Sequence, residues 1–313
     1  MVEEIKTFLA TNLNVPKHLD GEAVLNAIAV QQGILVERAE DVYSFSHLTL
    51  QEYLTAQYIA DNNLIEQLVT GHLCDYRWRE VFLLVVGLVR SKNGADDLLL
   101  LMEKEAQKYI NTPKLQGLLQ WADAATKGSE GDFKPVGKRA AAIANANPYA
   151  YVYTNPINID IFNACVIANA YAVNINIVTL SISNLSIINA NVMSIANAYS
   201  FAEQFKKIKI FKEVNWTELI TQLKELQKQL PDADQPEEIH LAFLDRFLDT
   251  WCHALHLNPE IVKLSNEEAE ALGDYLSANY LMIQCKEAAV RISAKTWEEI
   301  ESRMLVVPEN STI

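Results

Sequence analysis

The sequence predicts a mainly α protein, and three observations predict it. Apolar residues recur at three- and four-residue intervals through most of the chain; in Asn215–Leu230, for example, Trp216, Leu219, Ile220, Leu223 and Leu226 mark one helical face. Helix-start chemistry precedes several such runs, and Ser265-Asn266-Glu267-Glu268 has capping-box spacing. The β-rich runs are few and adjacent: Ile34–Arg38 and Val42–Ser46, separated by the polar turn Ala39-Glu40-Asp41.

In chain order, residues 20–32 have helical spacing, with Val24, Leu25, Ile28 and Ala29 on one side and Gly33 as a stop. The two β runs follow. Thr49-Leu50-Gln51-Glu52 then predicts a second capping box, starting a helix whose buried stripe is Leu50, Tyr53, Leu54 and Tyr58. Helix, β-hairpin, helix within 45 residues is the outline of a winged-helix end. Further helices are predicted at 75–90, 95–110 and 113–126, the first led by Arg77-Trp78-Arg79-Glu80 and the second by Ala95-Asp96-Asp97, which puts acid at the positive end of the dipole. Short connections imply stacked antiparallel hairpins. Residues 127–139, with three glycines and a proline, read as a linker. Helices at 237–256, 265–290 and 295–305 complete the C-terminal third, after a loop at 231–236. The domain organisation is therefore a winged-helix C-terminal part (1–60), a helical array (61–130), a linker with an uncharged segment (131–202) and a C-terminal helical domain (203–313).

Charge sharpens this division. The chain has 313 residues with 26 Lys plus Arg against 40 Asp plus Glu, a net charge of −14. Such a surface excludes nucleic acid and anionic membranes as default partners. Residues 1–139 and 203–313 carry nearly all the charge, whereas 140–202 holds Asp160 alone. The four cysteines, Cys74, Cys165, Cys252 and Cys285, are scattered, as in a reducing compartment. Glu3 and Glu4 stand where a signal peptide would be apolar, and Val81–Val89 is too short for a membrane span of about 20 residues. The expectation is a soluble, cytoplasmic protein.

The uncharged segment leaves two readings open. Residues 167–196 divide into six five-residue units, with Asn169, Asn174, Thr179, Asn184, Asn189 and Ser194 third in each and Ala170, Ile175, Leu180, Leu185, Ala190 and Ile195 fourth. This resembles the pentapeptide-repeat family, which implies a short β-solenoid. Against it, Ile177, Ile182, Ile187 and Val192 would form an exposed apolar ridge, and both flanks are helical. The segment is either helical or a short solenoid.

Few residues are candidates for chemistry. Gly131 to Arg139 approaches a phosphate-binding loop, but five residues separate its glycines and Arg139 stands where a magnesium-binding hydroxyl is required. Cys252, His253, His256 and Asp249 cluster in sequence, yet read most simply as a helix C-terminus. His18, His72 and His240 stand alone. No catalytic or metal-binding residue is assigned, and the chain reads as not an enzyme. His47 differs: it ends the hairpin two residues before a capped helix, where free backbone amides favour an anion.

The segment Tyr43-Ser44-Phe45-Ser46-His47-Leu48-Thr49-Leu50-Gln51-Glu52-Tyr53-Leu54-Thr55-Ala56 resembles the FSF-H-x-T-x-QEY-x-A signature of NACHT-type STAND NTPases, which include the animal NLR sensors. The resemblance implies that His47 reaches the β-phosphate of ADP held by a nucleotide-binding domain, with Phe45, Leu48, Thr49, Gln51, Glu52 and Tyr53 as its support. The stretches at 77–89, 205–216, 264–293 and 296–305 are similar to the C-terminal helical domain of cyanobacterial-type NACHT proteins. It further implies a regulatory and sensing role in signal transduction, in bacterial antiphage defence. The partners would be a NACHT nucleotide-binding domain, in cis or in trans, and a trigger protein. ADP or ATP would bind only with that domain; no cofactor is expected in this chain. The alternative is an independent protein-interaction scaffold with no nucleotide involvement, whose recognition surface is 140–202.

Overall fold

The structure, a computed structural model, describes residues 20–40, 42–89, 93–146, 157–174 and 187–307, together with residues 3, 7 and 11. It is mainly α-helical. Asp20 caps helix α1 (Gly21–Asn26) by accepting from the Glu22 amide at 2.9 Å, and the helix runs on into a π-helical turn, Ala27–Gln31. Strands β1 (Leu35–Ala39) and β2 (Val42–Phe45) pair antiparallel, with Leu35 opposite Phe45 and a bulge between Glu37 and Ala39. Helix α2 (Leu48–Asp61) follows at once, giving the predicted helix, hairpin, helix order.

Two details of α2 depart from the sequence reading. Its N-cap is His47, in extended conformation, whose carbonyl accepts from the Leu50 and Gln51 amides. Thr49 lies inside the first turn, so the predicted Thr49/Glu52 box does not form. The cause is the hairpin: Ser46 still donates to the Ile34 carbonyl at 2.9 Å, and the chain turns helical directly after it. The buried residues are also different, Ala56 and Ile59, while Tyr53, Leu54 and Tyr58 are exposed.

The helical array comprises α3 (Ile65–His72), α4 (Arg79–Leu88), α5 (Asp96–Ala106) and α6 (Pro113–Thr126). Helix α6 starts with Thr112 as cap and Pro113 in its first turn, where a missing amide hydrogen costs nothing. Next comes α7 (Pro135–Ala144), within and beyond the predicted linker. Residues 127–134 are loop, but α7 is a core helix, buried from Val136 to Ala144. Its glycine serves close packing, not flexibility: a Cβ on Gly137 would stand 2.6 Å from Tyr171 Cβ. Pro135 and the alanines that follow favour a helix there.

Helices α8 (Ile157–Ala170) and α9 (Ile187–Ile208) occupy the uncharged segment. Where it is described, the five-residue pattern is therefore helical at both ends, with residues 167–170 in α8 and 187–196 in α9; residues 175–186 lie outside the described residues. The missing charge has a physical cause. Ala140 to Ala144, Ala164, Cys165, Ile167 and Ala168 are buried, so these stretches of α7 and α8 face neighbouring helices, where a charge would need a partner.

The remaining helices are α10 (Trp216–Gln227), α11 (Glu237–Ala254), α12 (Asn266–Ala288) and α13 (Ala294–Arg303). Ser265 and Glu268 form the predicted capping box on α12. Helix α12 packs against α4, α5 and α8, α8 against α7, and α7 against α6, so chain-distant helices share one core. Buried polar groups staple this core. Arg139 donates to the carbonyls of Met304 (2.8 and 3.1 Å) and Ser302 (3.2 Å) and to the Asp123 carboxylate (3.1 Å). Asp96 accepts from the Ser293 amide and the Thr296 hydroxyl, each at 2.9 Å, and Arg303 forks onto Glu103. Among the described residues no helix is long and apolar enough to cross a membrane.

Candidate functional site

The site assembled at the winged-helix end is a surface, not a cleft. The hairpin register sets Phe45 against Leu35 and leaves both half-buried, and His47 is delivered to the tip of α2 with its side chain exposed. The first turn of α2 carries no acidic residue to offset the positive end of its dipole, which lies next to the exposed His47. Of the predicted supporting residues, Thr49, Gln51 and Tyr53 are exposed and Phe45 and Glu52 are half-buried. Among the described residues, none of them hydrogen-bonds the His47 side chain. Instead Tyr53 Oη donates to Gln57 Oε1 (3.4 Å), and Gln57 Nε2 donates to Asp61 Oδ2 (2.8 Å), forming a polar line down the helix.

Around this line the surface is apolar. Leu48 is 67% exposed and Tyr58 61%, with Val42, Tyr53, Leu54 and Val36 also exposed. Exposed apolar side chains scattered singly are ordinary, whereas here Leu48, Tyr53, Leu54 and Tyr58 stand together on one helix. Ser46 contributes an unpartnered hydroxyl oxygen, buried just behind His47.

The other sequence candidates are structural. Cys252 is fully buried, and burial pushes its thiol up to about 12, which leaves a neutral, poorly ligating sulfur. His253 and Asp249 line a recess of about 670 Å³ whose lining does not include His256, which holds a left-handed backbone conformation (φ 52°). Among the described residues no three metal-ligating side chains converge. His72 stacks on Trp78 at 3.8 Å, and His240 is buried against Asn191 at 3.0 Å. His18 lies outside the described residues. The near-phosphate-loop is dismantled by the fold, because Lys138 and Arg139 belong to a buried helix and are spent on Ser129, Asp123 and backbone carbonyls. Sequence reading missed the lysine-lined recess after α9 and the buried Asn191–His240 pair, because both join residues distant in sequence.

Two family models match this chain. Residues 14–59 match the winged helix-turn-helix domain C-terminal to NACHT, and residues 219–307 match NACHT C-terminal helical domain 2. The class these matches point to is a NACHT-associated helical protein, with the hairpin and most of α2 inside the first match and α11 to α13 inside the second. More particularly, the two modules on one chain support its being a C-terminal part of a NACHT protein. No curated protein and no solved structure matches it.

Proposed function

We propose that this chain is the regulatory and sensing C-terminal part of a NACHT-type signal-transduction NTPase acting in bacterial antiphage defence. The observation that carries the reading is the outward-facing His47 at a bare helix N-terminus, framed by exposed Leu48, Tyr53, Leu54 and Tyr58 within the matched winged helix. In this reading the NACHT nucleotide-binding domain covers that surface, and the imidazole and first-turn amides meet a phosphate of bound ADP. The helical layers beyond α3 move with the winged-helix end and present a surface to a trigger protein. Switching is a shift between closed and open arrangements, set by the contacts each one makes.

Release of a fluorescent ADP analogue tests the nucleotide role, measured after the chain is joined to its cognate nucleotide-binding domain. His47→Ala should speed release by about tenfold or more, the loss of one charge-assisted hydrogen bond. An unchanged release rate removes His47 from the mechanism. The scaffold alternative gains no support from 140–202, whose described residues lie mostly in the core.

A further inference from the structure

A recess of about 410 Å³ lies between the loop after α6 and the loop after α9, far in sequence from His47. One wall is the segment 128–130, the other carries Lys206, Lys209 and Lys212, and Phe211 and Trp216 lie at its base. Its shape is fixed by backbone contact. The Gly131 amide donates to the Lys209 carbonyl at 2.9 Å, and a Cβ on Gly131 would stand 2.4 Å from the Ile208 carbonyl oxygen. At the base, Phe211 meets Phe205 and Trp216 edge-on, with ring centroids 5.1 and 5.6 Å apart. Lys209 (φ 53°) and Glu213 (φ 63°) hold left-handed conformations, which persist only where the surroundings impose them.

Its lining carries three lysines against two glutamates, Glu130 and Glu213, a slight positive excess in an acidic molecule. Residues 204–212 carry four lysines and no acid, in a chain of net charge −14. Lys209 pairs with Glu130 (2.5 Å) and Lys212 with Glu213 (2.8 Å), both pairs exposed, while Lys206 has no carboxylate partner among the described residues. Behind the 128–130 wall a further ammonium, Lys138, is only 8% exposed and donates to the Ser129 carbonyl (3.2 Å) and hydroxyl oxygen (2.9 Å). That bond uses a lone pair of the hydroxyl and leaves its proton for another acceptor.

We propose that this recess binds a small, multiply charged phosphate-type anion, with Lys206, Lys209 and Lys212 on its oxygens and the Ser129 hydroxyl donating one further bond. Lysine binds phosphate as a point charge, and three lysines within one open recess can all reach a single compact polyanion. The volume lies within the small-ligand range. Exposed ion pairs contribute little stability, so the anion readily displaces Glu130 and Glu213 from their lysines. The site does not depend on the nucleotide role of His47.

Titration calorimetry of the full chain with inorganic tripolyphosphate at low salt tests it. Saturable binding is expected, and replacing Lys206, Lys209 and Lys212 together by alanine should weaken it by about 30-fold or more. Because these side chains are exposed, the triple variant should keep the circular dichroism spectrum and Tm of the parent. Combined Glu130→Gln and Glu213→Gln should tighten binding about threefold by freeing two lysines. The same charge change made remotely, by Glu237→Gln with Glu298→Gln, should leave it unchanged. Absence of binding, equal affinity in the folded triple variant, or equal tightening by the remote pair overturns the proposal. So does tighter binding of hexaglutamate than of tripolyphosphate, which would make the recess an acidic-peptide site.

Discussion

The winged-helix end and the layered helices behind it solve opposite problems with similar apolar content. In α2 only Ala56 and Ile59 are buried, and its large apolar side chains face outward. In α7 every residue from Val136 to Ala144 is buried, including a lysine and an arginine. The first element keeps its apolar surface available and holds few fixed partners. The second places charges inside the core, satisfying Arg139 with backbone carbonyls at the end of α13 and a carboxylate from α6, and Lys138 with the carbonyl and hydroxyl of Ser129. Apolar residues alone do not tell interior from interface; what surrounds them does.

That contrast predicts a graded response to substitution, measured by urea unfolding of the whole chain. Trp251→Ala should be the largest, about 4 kcal/mol, because a fully buried indole leaves a cavity and its bond to the Asn145 carbonyl (3.0 Å) is lost. Arg139→Ala should cost about 3 kcal/mol, since the Met304 and Ser302 carbonyls and Asp123 lose their shared donor. A loss equal to that of an ordinary exposed arginine would mean that α13 is not held by this staple.

Alkaline pH should weaken the same core. Burial pushes the Cys74, Cys252 and Cys285 thiols from 9.0 up to about 12. The unfolded chain releases these protons first, so stability is intact below about pH 9 and falls as pH rises toward 12. A Tm that stays flat across that window in the parent chain would contradict it. Replacing the three cysteines by alanine should shrink the alkaline loss. Ser265→Ala should cost about 1 kcal/mol by removing the α12 cap.

Smallest of all, Leu48→Ser and Tyr58→Ser should change stability by less than about 0.5 kcal/mol. Both should reduce binding of a hydrophobic dye and of the nucleotide-binding domain. A destabilisation as large as that of Trp251→Ala would place α2 in the core and remove the contrast.

Much of the architecture is legible because local chemistry and tertiary outcome agree. The Ser265 box, the Trp216 to Leu226 stripe and the two β runs recur close to their predicted places. The α2 boundary is displaced because a backbone bond, Ser46 to Ile34, outweighs a side-chain cap. The linker reading of 127–139 fails over its second half because glycine serves close approach as well as flexibility. At the candidate site the motif residues are legible as a string, but their exposure is not, since it depends on what packs over them.

By itself the sequence determines a mainly helical chain with one hairpin and the two NACHT-associated modules, because periodicity, caps and motif spacing are local properties. Only the tertiary structure decides why charge is absent from Ala140–Ala144 and from the buried face of α8: these stretches lie between α6 and α12, where an ionised group without partners is too costly. It alone also sets the lysine run at 206–212 opposite Ser129. Long-range packing brings such groups together, and no spacing along the chain records it.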